Sequence, residues 1–391
     1  MKADVLIVGS GIAGLTAGLE LRSRGFEGTI AIVGDEVHAP YDRPPLSKLY
    51  LTSPGSAEID LRFLDGSTCE FVLGDRAAAL ETARRYIRLA SGRKIEYQKL
   101  ILATGSSARK PPDEQVNVPS LVLRTKADAD KLRGYLRAGS NLTIIGGGII
   151  GLEVAATARA LGVGVEVVEL SSRLLGRAAA PELAAFLQQT HEAKGVRFRF
   201  GVTSSVENGR LLFSDGSTLK SDVVLWSIGA VPNDELASAA GIECDQGILV
   251  DEAGRTSASG IYAIGDVARF RDSMRRHETW TSAREQAATV AQAILDPQHL
   301  PGMTIPYYWS DQYEHKIHVL GEPNGDENIV QLGTAATGPR VIYHIIGKKL
   351  RGVSLIDSAS LLTPARRALL RQIDYTVEQI MQPGFSLRSS R

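Results

Sequence analysis

The sequence predicts an α/β protein with two Rossmann-like units and a smaller α+β domain towards its C-terminal end. Glycine-rich runs of the form GxGxxG occupy residues 9–14 and 146–151, and each follows an apolar strand-like segment and opens an apolar helix. From about residue 306 the pattern changes to alternating strands, with a helix expected near residues 364–371. A chain of 391 residues exceeds one hydrophobic core, so two or three domains are expected.

The elements of the first unit can be predicted in order. Residues 1–35 have a β-α-β pattern, and residues 100–105 form a buried strand that ends in glycine. Three short strands of an inserted meander are predicted between them, at residues 71–73, 86–89 and 95–98. The stretch 106–119 is rich in proline and polar residues, which indicates a crossover.

The second unit repeats this pattern. An amphipathic helix at residues 126–138 precedes a βαβ unit at residues 142–168, and a strand at 223–229 again ends in glycine. The repetition indicates two copies of one architecture, with the second inserted into the first. The remaining predicted elements are a helix at 181–194, a strand at 196–200, a hairpin with an Asp-Gly turn at 213–219, a strand ending in Gly-Asp at 261–266 and a helix at 280–295.

Composition excludes several classes of function. Lys plus Arg and Asp plus Glu number 44 each, so no overall charge favours nucleic acid or an anionic membrane. No apolar run reaches the roughly 18 residues of a membrane span, and the first strand leaves no room for a signal peptide, so a cytoplasmic protein is expected. The two cysteines, Cys69 and Cys244, form no CxxC pair, which argues against a disulfide scaffold, a metal site and a dithiol relay.

Each glycine run has the residue types that bind a dinucleotide pyrophosphate. The first glycine permits the tight turn, the second lets the backbone approach the phosphates, and the third lets helix and strand pack closely. These glycines are Gly9, Gly11 and Gly14, then Gly146, Gly148 and Gly151. An acid at the end of the next strand binds ribose hydroxyls, which is Asp35 or Glu36 in the first unit and Glu169 in the second. Two such sites in one chain indicate electron transfer between two cofactors.

Several longer motifs occur in a fixed order along most of the chain. They are YDRPPLSK at residues 41–48, ATG at 103–105, LRT at 123–125, GAVPN at 229–233, AIGDV at 263–267 and YWSDQ at 308–312. Together they resemble the NADH-dependent ferredoxin reductases that serve bacterial Rieske-type dioxygenases and cytochrome P450 systems. Those proteins are glutathione-reductase-like flavoproteins. The chain departs from their pattern at residues 51–70, which form a shorter stretch than in relatives.

The resemblance implies a division into domains and an assignment of the cofactors. An FAD-binding domain would comprise residues 1–108 and 235–305, with an NAD-binding domain at 109–234 between its two parts and a C-terminal α+β domain at 306–391. The first glycine run would bind FAD and the second NADH. The residues alone predict two dinucleotide sites without assigning them.

The resemblance also implies the residues around FAD. Asp266 would hydrogen-bond the ribityl chain, with a helix N-cap role as the alternative. Arg124 would contact FAD or remain a solvated charge, and Trp280 would line the cofactor where relatives often have a smaller residue. The full set is Gly9, Gly11, Ala13, Gly14, Asp35, Glu36, Arg43, Lys48, Ala77, Ala103, Thr104, Gly105, Arg124, Gly265, Asp266 and Trp280. Asp35 is favoured over Glu36 as the ribose ligand.

A second set of residues is implied around NAD. It comprises Gly146, Gly148, Ile149, Ile150, Gly151, Glu153, Glu169, Arg177 and Gly229. The carboxylate of Glu169 predicts a preference for NADH, because it accepts hydrogen bonds from both ribose hydroxyls and repels the 2′-phosphate of NADPH. Arg173 and Arg177 follow closely and soften that repulsion, so the preference is not expected to be exclusive.

Lys48, Glu153 and Trp309 are the implied catalytic positions. Lys48 would lie near flavin N5 and pair with Glu153, which would orient the nicotinamide. Glu153 is expected in the first turn of its helix, so an acid favoured by the helix dipole is the alternative. Trp309 would lie beside the isoalloxazine on the route to the partner, and core packing is its alternative.

The expected function is transfer of electrons from NADH through FAD to a [2Fe–2S] ferredoxin, of Rieske type or of plant or adrenodoxin type, by a monomer or a homodimer. Rubredoxin reductase and NADH oxidase remain alternatives, although oxidases use a redox cysteine where this chain has residues 38–41 without one. An NADH-sensing protein similar to apoptosis-inducing factor is an alternative of another class.

A histidine pair and an arginine run are two further candidate functional groups. His315 and His318 point to opposite faces of a predicted strand, so no metal site is expected. The run Arg269, Arg271, Arg275 and Arg276 is either a docking surface for an acidic ferredoxin or a solvated loop.

Overall fold

The chain forms two compact units. The computed structural model describes residues 1–53, 59, 61, 69–110, 118–176, 178–202, 204–207, 210–214, 216–218, 221–332, 340–382 and 384–387. The first unit contains Met1–Asp42, Glu58–Ser107 and Ala230–Thr304, and the second contains Arg43–Ala57, Ala108–Gly229 and Ile305–Arg391. Arg177, most of the short stretch at 51–70 and the middle of the predicted crossover lie outside the described residues.

A seven-stranded sheet forms the first unit. In spatial order its strands are Cys69–Val72, Ile30–Val33, Lys2–Val8, Lys94–Leu102, Tyr86–Leu89 and Ala77–Glu81, while Ile261–Ala263 also pairs with Lys94–Leu102. Tyr86–Leu89 and Ala77–Glu81 are antiparallel to their neighbours, and the other strands are parallel. Both faces of the parallel part are buried, since Val5 and Ile7 pack in one apolar cluster and Leu6 and Val8 in another.

The predicted meander is only partly correct. The prediction that residues 71–73 belong to it is wrong, because Cys69–Val72 pairs in parallel with Ile30–Val33 at the edge of the sheet. Ala77–Glu81 is an additional strand that its helix-favouring sequence conceals. The predicted strands at 95–98 and 100–105 are one strand, Lys94–Leu102, whose first half alternates between exposed and buried residues and whose last three residues are buried.

Two helices pack together on one face of this sheet. Ile12–Ser23 and Trp280–Leu295 share an apolar cluster in which Ala13 and Ala17 lie with Ala283 and Ala287. Small side chains allow the two helices to approach closely. The other face is covered by residues from the helix Glu235–Ala239 and from the parallel strands Ile248–Val250 and Ala268–Phe270. The 3-10 turn Gly265–Val267 joins the last of these strands.

The second unit contains a five-stranded parallel sheet, so two Rossmann-like sheets are confirmed. Its spatial order is Arg197–Phe200, Gly164–Glu169, Asn141–Ile145, Val223–Trp226 and Ser120–Val122. The helices are Lys126–Arg133, Ile149–Ala160 and Pro181–Ala193. Lys126–Arg133 is shorter than predicted because it ends at Gly134, while a capping box of Thr125 and Asp128 fixes its start.

The described part of the predicted Asp-Gly hairpin continues an earlier hairpin. Ser204–Glu207 and Arg210–Phe213 pair as antiparallel strands, and the chain then turns at Gly216, whose φ is +77°. An antiparallel bridge joins Leu212 to Thr218 beyond this turn. Asp215 and Leu219 lie outside the described residues. Two short strands, Ser106–Ala108 and Ala230–Pro232, occur where the chain leaves and re-enters the first unit.

An antiparallel sheet and helices form the C-terminal part, as predicted. The strand order is Tyr307–Gln312, His315–Gly321, Lys349–Ile356, Arg340–Ile346 and Glu327–Leu332. Its core joins Leu320 and Val353 to Ala365 and Leu369 of the helix Leu362–Leu370. The remaining short elements of the second unit are the helices Leu49–Thr52 and Val377–Met381 and the 3-10 turns Pro44–Ser47 and Ala359–Leu361. None of the described helices combines the length and hydropathy needed to cross a membrane.

A buried histidine in this sheet predicts destabilisation by acid. His344 bonds to Asn328 at 2.7 Å and Ser354 at 2.8 Å, and burial lowers its pKa from 6.5 to about 4. Since the unfolded chain binds this proton near pH 6.5 and the folded chain only near pH 4, unfolding becomes easier as the pH falls through that window. We expect a loss of about 3 kcal/mol from this group. Urea unfolding at pH 7 and pH 4.5 should show that the free energy of unfolding falls less with acid in His344→Gln than in the unaltered protein. Equal falls in the two proteins would contradict a lowered pKa of His344.

Candidate functional site

The first glycine run is held by close backbone contacts. Gly9 has φ +118°, and a Cβ on it would lie 2.0 Å from the carbonyl oxygen of Ala103. A Cβ on Gly14 would lie 1.9 Å from the carbonyl oxygen of Gly9. A side chain therefore fits at neither position, as the turn and packing roles of these glycines require.

The middle glycine has open space instead. A Cβ on Gly11 would meet none of the described atoms within 4 Å. Gly11 is the N-cap of the helix Ile12–Ser23 and has no side chain to cap the first turn. The N–H groups of that turn therefore have no side-chain cap and carry the partial positive charge of a helix N-terminus. This cradle fits a pyrophosphate group.

Ala13, Gly265 and Asp266 lie beside this cradle. Gly265 has φ +74°, and a Cβ on it would lie 3.0 Å from Cβ of Ala13. Asp266 accepts a hydrogen bond from Ser106 Oγ at 3.0 Å. The N-cap interpretation of Asp266 is wrong, because it lies inside the short turn Gly265–Val267, whose N-cap is Ile264.

Asn233 holds the loop after the strand Lys94–Leu102, and the predicted site residues omit it. Its Nδ2 donates to the Thr104 carbonyl at 2.8 Å, and Thr104 Oγ1 donates to the Asn233 carbonyl at 2.7 Å. Its backbone N–H donates to the carbonyl of Gly105, whose φ is +69°. Asn233 is the last residue of the GAVPN motif, and this motif is the sequence signal that could have identified it as a site residue.

The two candidate ribose ligands differ in their surroundings. Asp35 is exposed, whereas Glu36 is half-buried and accepts a hydrogen bond from the Tyr41 hydroxyl at 2.6 Å.

Trp280, the first residue of its helix, donates from Nε1 to Asp42 at 2.9 Å, and the guanidinium of Arg284 lies 4.6 Å from its ring centroid. These contacts hold the indole in place.

Four of the predicted FAD residues are divided between the two units. Ala77 begins the strand Ala77–Glu81 in the first unit. Arg43, Lys48 and Arg124 belong to the second unit, where Arg43 is the N-cap of the turn Pro44–Ser47. The backbone N–H of Arg124 donates to Asp128 at 3.1 Å.

The second glycine run repeats the geometry of the first. Gly146 has φ +104°, and a Cβ on it would lie 2.3 Å from the Ser227 carbonyl oxygen. A Cβ on Gly151 would lie 2.8 Å from the Gly146 carbonyl oxygen, whereas one on Gly148 would meet only this Ser227 oxygen, at 3.9 Å, among the described atoms. A glycine with positive φ again follows the buried strand: Gly229, after Val223–Trp226, has φ +100°, and Gly105, after Lys94–Leu102, has φ +69°. This run therefore forms a second cradle that fits a pyrophosphate.

Backbone hydrogen bonds orient Glu169. Its Oε2 accepts from the Gly147 N–H at 2.7 Å and its Oε1 from the Ser171 N–H at 2.8 Å. Arg173 is engaged by the carbonyls of Leu174, Gly176 and Ala179 in its own loop. Arg177 lies outside the described residues. The carboxylate is therefore fixed at the end of its strand beside the glycine run.

Replacing Glu169 should change the choice of nicotinamide cofactor. Glu169→Ala removes the charge that would oppose a 2′-phosphate, so we expect the ratio of kcat/KM for NADH over NADPH to fall by about tenfold or more. Glu169→Gln keeps the shape without the charge and should give a similar shift. Steady-state kinetics with both cofactors measure the ratio. An unchanged ratio in both variants would remove Glu169 from cofactor discrimination.

Glu153 lies at the centre of a buried polar cluster in the second unit. Its side chain is 3% exposed, and its Oε2 lies 2.6 Å from Lys48 Nζ. Ser47 Oγ donates to the same oxygen at 2.5 Å, and Ser310 Oγ donates to Oε1 at 2.6 Å. One turn further along the helix, Thr157 donates to the Ser47 carbonyl at 2.8 Å. The cluster brings together Lys48 and Glu153, two of the predicted catalytic residues.

The expected position of Glu153 in the first turn is wrong. The helix begins at Ile149, so Glu153 lies in its second turn. The charge of Lys48, and not the helix end, accounts for this buried acid. Ile149 packs in an apolar cluster with Leu152, whereas Ile150 is 42% exposed and faces solvent at the start of the helix.

Trp309 lies on the other side of the strand that supplies Ser310. Along Tyr307–Gln312, side chains alternate, so Tyr308, Ser310 and Gln312 face one way. Trp309 stacks with Tyr307 at a centroid distance of 6.1 Å, and Tyr307 bonds to His318 Nδ1 at 2.9 Å. The structure therefore separates Trp309 from the Glu153 cluster by the direction of its side chain.

The histidine pair and the arginine run contain residues that pair with nearby acidic side chains. His315 bonds to Asp357 at 2.7 Å, and within the described part of the chain no group of His, Cys, Asp or Glu could hold a metal ion. In the arginine run, Arg269 pairs with Asp245, Arg271 with Glu243 and Arg276 with Glu278. Both cysteines are free thiols.

Comparison with known proteins gives matches along nearly the whole chain. The family described as pyridine nucleotide-disulphide oxidoreductase matches residues 3–287, and the family described as reductase C-terminal matches residues 307–391. The biphenyl dioxygenase system ferredoxin–NAD(+) reductase component of Paraburkholderia xenovorans is 35% identical, over 99% of this chain and 98% of that protein. Putidaredoxin reductase of Pseudomonas putida is 36% identical, over 90% of this chain and 88% of that protein.

Solved structures give the same result. The covalent putidaredoxin reductase–putidaredoxin complex contains a chain with a TM-score of 0.91 and 33% identity, and the match covers 99% of this chain and 97% of that one. A ferredoxin reductase from Rhodopseudomonas palustris has a TM-score of 0.90 and 35% identity, with coverage of 98% and 99%.

Proposed function

Because the chain belongs to the ferredoxin–NAD(+) reductase family, we propose that it oxidises NADH and passes the electrons singly to a [2Fe–2S] ferredoxin that serves an oxygenase or a cytochrome P450. The observation that carries this proposal is the pair of glycine cradles with the same geometry in one chain. FAD and NADH are the cofactors of this family. Bound FAD would supply the conversion of the electron pair from NADH into the single electrons that a [2Fe–2S] centre accepts.

The first cradle is proposed to hold FAD and the second NADH. The N–H groups after Gly11 would bind the FAD pyrophosphate, and Asp266 would contact the sugar-like chain. Asp35 is preferred as the ribose ligand because Glu36 already accepts the Tyr41 hydroxyl. In the second unit, Glu169 would bind the ribose of NADH. The division into an FAD domain of two parts, an inserted NAD domain and a C-terminal domain is proposed with the boundaries given above.

Glu153 and Lys48 are proposed to orient the nicotinamide for hydride transfer. Glu153 is a buried carboxylate and Lys48 its cationic partner at 2.6 Å, so the pair acts through fixed charge rather than by exchanging protons with a substrate. Trp309, on the opposite side of its strand, would lie on the route of the electrons to the partner.

The partner is proposed to be a small [2Fe–2S] ferredoxin, of Rieske type or of plant or adrenodoxin type, and the compartment to be the cytoplasm, where NADH is available. Residues 38–41 lack the redox cysteine expected of an oxidase. A rubredoxin as electron acceptor is an outcome that the experiment below can distinguish.

NADH-driven reduction of cytochrome c tests the proposal. We expect the purified flavoprotein to reduce cytochrome c slowly alone and at least about tenfold faster when a [2Fe–2S] ferredoxin is added, because the ferredoxin carries single electrons between them. Rubredoxin in place of ferredoxin is the control. Fast consumption of NADH and oxygen without stimulation by ferredoxins of either class would contradict the proposal.

A further inference from the structure

The Glu153 cluster continues as a chain of buried polar side chains that the proposed mechanism leaves unexplained. Beyond Ser310, Gln312 Nε2 lies 3.0 Å from Ser310 Oγ, and Gln312 Oε1 lies 2.8 Å from His191 Nε2. His191 Nδ1 in turn lies 3.1 Å from the hydroxyl of Tyr313. Ser310, Gln312 and His191 are at most 1% exposed. Burying polar side chains costs free energy, so a buried network of this size indicates a role beyond packing.

The charge of Glu153 determines the direction of every hydrogen bond in this chain. An ionised carboxylate only accepts, so Ser310 must donate its single hydroxyl proton to Glu153. Ser310 Oγ can then only accept from Gln312, which turns the amide oxygen of Gln312 towards His191. That oxygen needs a proton on His191 Nε2, which leaves Nδ1 without one and ready to accept from Tyr313.

The surroundings of His191 and Tyr313 agree with this polarity. Burial lowers the pKa of His191, which favours the neutral ring that the chain needs. Tyr313 has a φ of +54°, a conformation that costs a bulky residue free energy and that the tight turn imposes before Glu314. In this turn the Tyr313 hydroxyl reaches His191 while Lys194 lies 5.5 Å from its ring centroid. Arg159 and Glu314 are the other charged groups near Tyr313.

We propose that Tyr313, His191, Gln312 and Ser310 form a one-way hydrogen-bond chain that holds the Glu153 carboxylate in the position used for hydride transfer. Ser310, Gln312 and His191 are then positioning residues that act through Glu153. The inference rests on the proposed function, since it assigns Glu153 a part in the reaction with NADH. Ser47 and Lys48 hold one oxygen of the carboxylate, and this chain holds the other.

Rapid-mixing kinetics of flavin reduction by NADH test the proposal in the holoenzyme. Ser310→Ala should lower the limiting rate constant by about tenfold, the size expected for one charge-assisted hydrogen bond. The dissociation constant for NADH and the FAD content should stay unchanged, and Ser310→Thr should restore the rate. Ser354→Ala is the matched control, since Ser354 is equally buried in the same sheet and bonds to a buried histidine, His344, outside the chain.

Gln312→Met tests the middle of the chain, because it keeps the size of the side chain but removes both its donor and its acceptor. It should slow flavin reduction as much as Ser310→Ala, whereas a packing role would leave an isosteric variant near the normal rate. Nitrogen NMR of histidine-labelled holoenzyme gives a readout independent of activity. It should show His191 as the neutral Nε2–H tautomer, and Tyr313→Phe should shift the Nδ1 resonance.

The outcomes separate this inference from the proposed function. Normal rates for Ser310→Ala and Gln312→Met, while Glu153→Gln is slow, would overturn the chain and leave the role of Glu153 intact. An Nδ1–H tautomer of His191 would also overturn it. A normal rate for Glu153→Gln would remove the inference as well, and ferredoxin-dependent cytochrome c reduction would still decide the function separately.

Discussion

Gly9→Ala is expected to yield almost no folded, flavin-containing protein. Gly9 has a positive φ, and its added Cβ would lie 2.0 Å from the carbonyl oxygen of Ala103. Neither backbone can move aside easily, because the Ala103 N–H donates to the Val8 carbonyl at 2.7 Å within the parallel sheet. We expect a loss of more than about 4 kcal/mol of folding free energy. Flavin absorbance of the purified protein and urea unfolding measure the effect.

Two further glycine substitutions make this prediction specific. Gly92→Ala adds a methyl group at a positive φ of +87° where it would meet none of the described atoms within 4 Å, so it should cost only about 1 kcal/mol. Gly11→Ala should fold normally but bind FAD at least about tenfold more weakly, because its methyl group points into the space proposed for the pyrophosphate. Normal folding of Gly9→Ala, or unchanged FAD affinity of Gly11→Ala, would contradict the respective role.

Glu153→Ala should slow flavin reduction by NADH by about a hundredfold while FAD stays bound. The substitution removes a carboxylate that is 3% exposed and leaves Lys48, 21% exposed, without its counter-ion. The fixed charge proposed to orient the nicotinamide would be lost, whereas the first glycine cradle belongs to the other unit and keeps its contacts. The limiting rate constant from rapid mixing and the ratio of flavin to protein measure the two effects.

Glu166→Ala is the matched control for that experiment. Glu166 is also a buried acid of the second unit, 7% exposed in its side chain, and pairs with Arg197 and Arg199. We expect Glu166→Ala and Glu153→Ala each to lower the free energy of unfolding by about 2 kcal/mol. Only Glu153→Ala should also slow flavin reduction. Equal slowing in both variants would show that the effect of Glu153→Ala is one of stability and not of charge near the nicotinamide.

The two glycine runs could be interpreted from sequence because the packing within each run is local. Gly14 and Gly151 each pack against the first glycine of their own run, within one βαβ unit. Gly9 and Gly146 also approach the carbonyl oxygens of Ala103 and Ser227, and these two contacts are distant in sequence. The alternation of buried strands with helices likewise predicted both parallel sheets. Local patterns failed at Ala77–Glu81, where a helix-favouring sequence forms a strand because it pairs with Tyr86–Leu89.

The polar cluster around Glu153 could not be predicted in the same way. Ser310 lies 157 residues from Glu153 along the chain, and His191 lies 121 residues from Gln312. Such contacts depend on how helix and sheet pack, which a single sequence does not reveal. The resemblance supplied Lys48 and Glu153 as a pair, but nothing local distinguished Ser310 or Gln312 from solvent-exposed polar residues of a strand. Their burial is the information that the structure adds.

The alternation along Tyr307–Gln312 has a consequence for how this protein can change during evolution. Substitutions at Trp309 or Asp311 alter the side chains on one face, and the side chains of Ser310 and Gln312 on the other face keep their partners. The face that we propose to lie towards the electron acceptor can therefore change one residue at a time without disturbing the Glu153 cluster. A one-residue insertion or deletion within the strand would exchange the two faces at once. Homologues should accordingly keep the length of this strand.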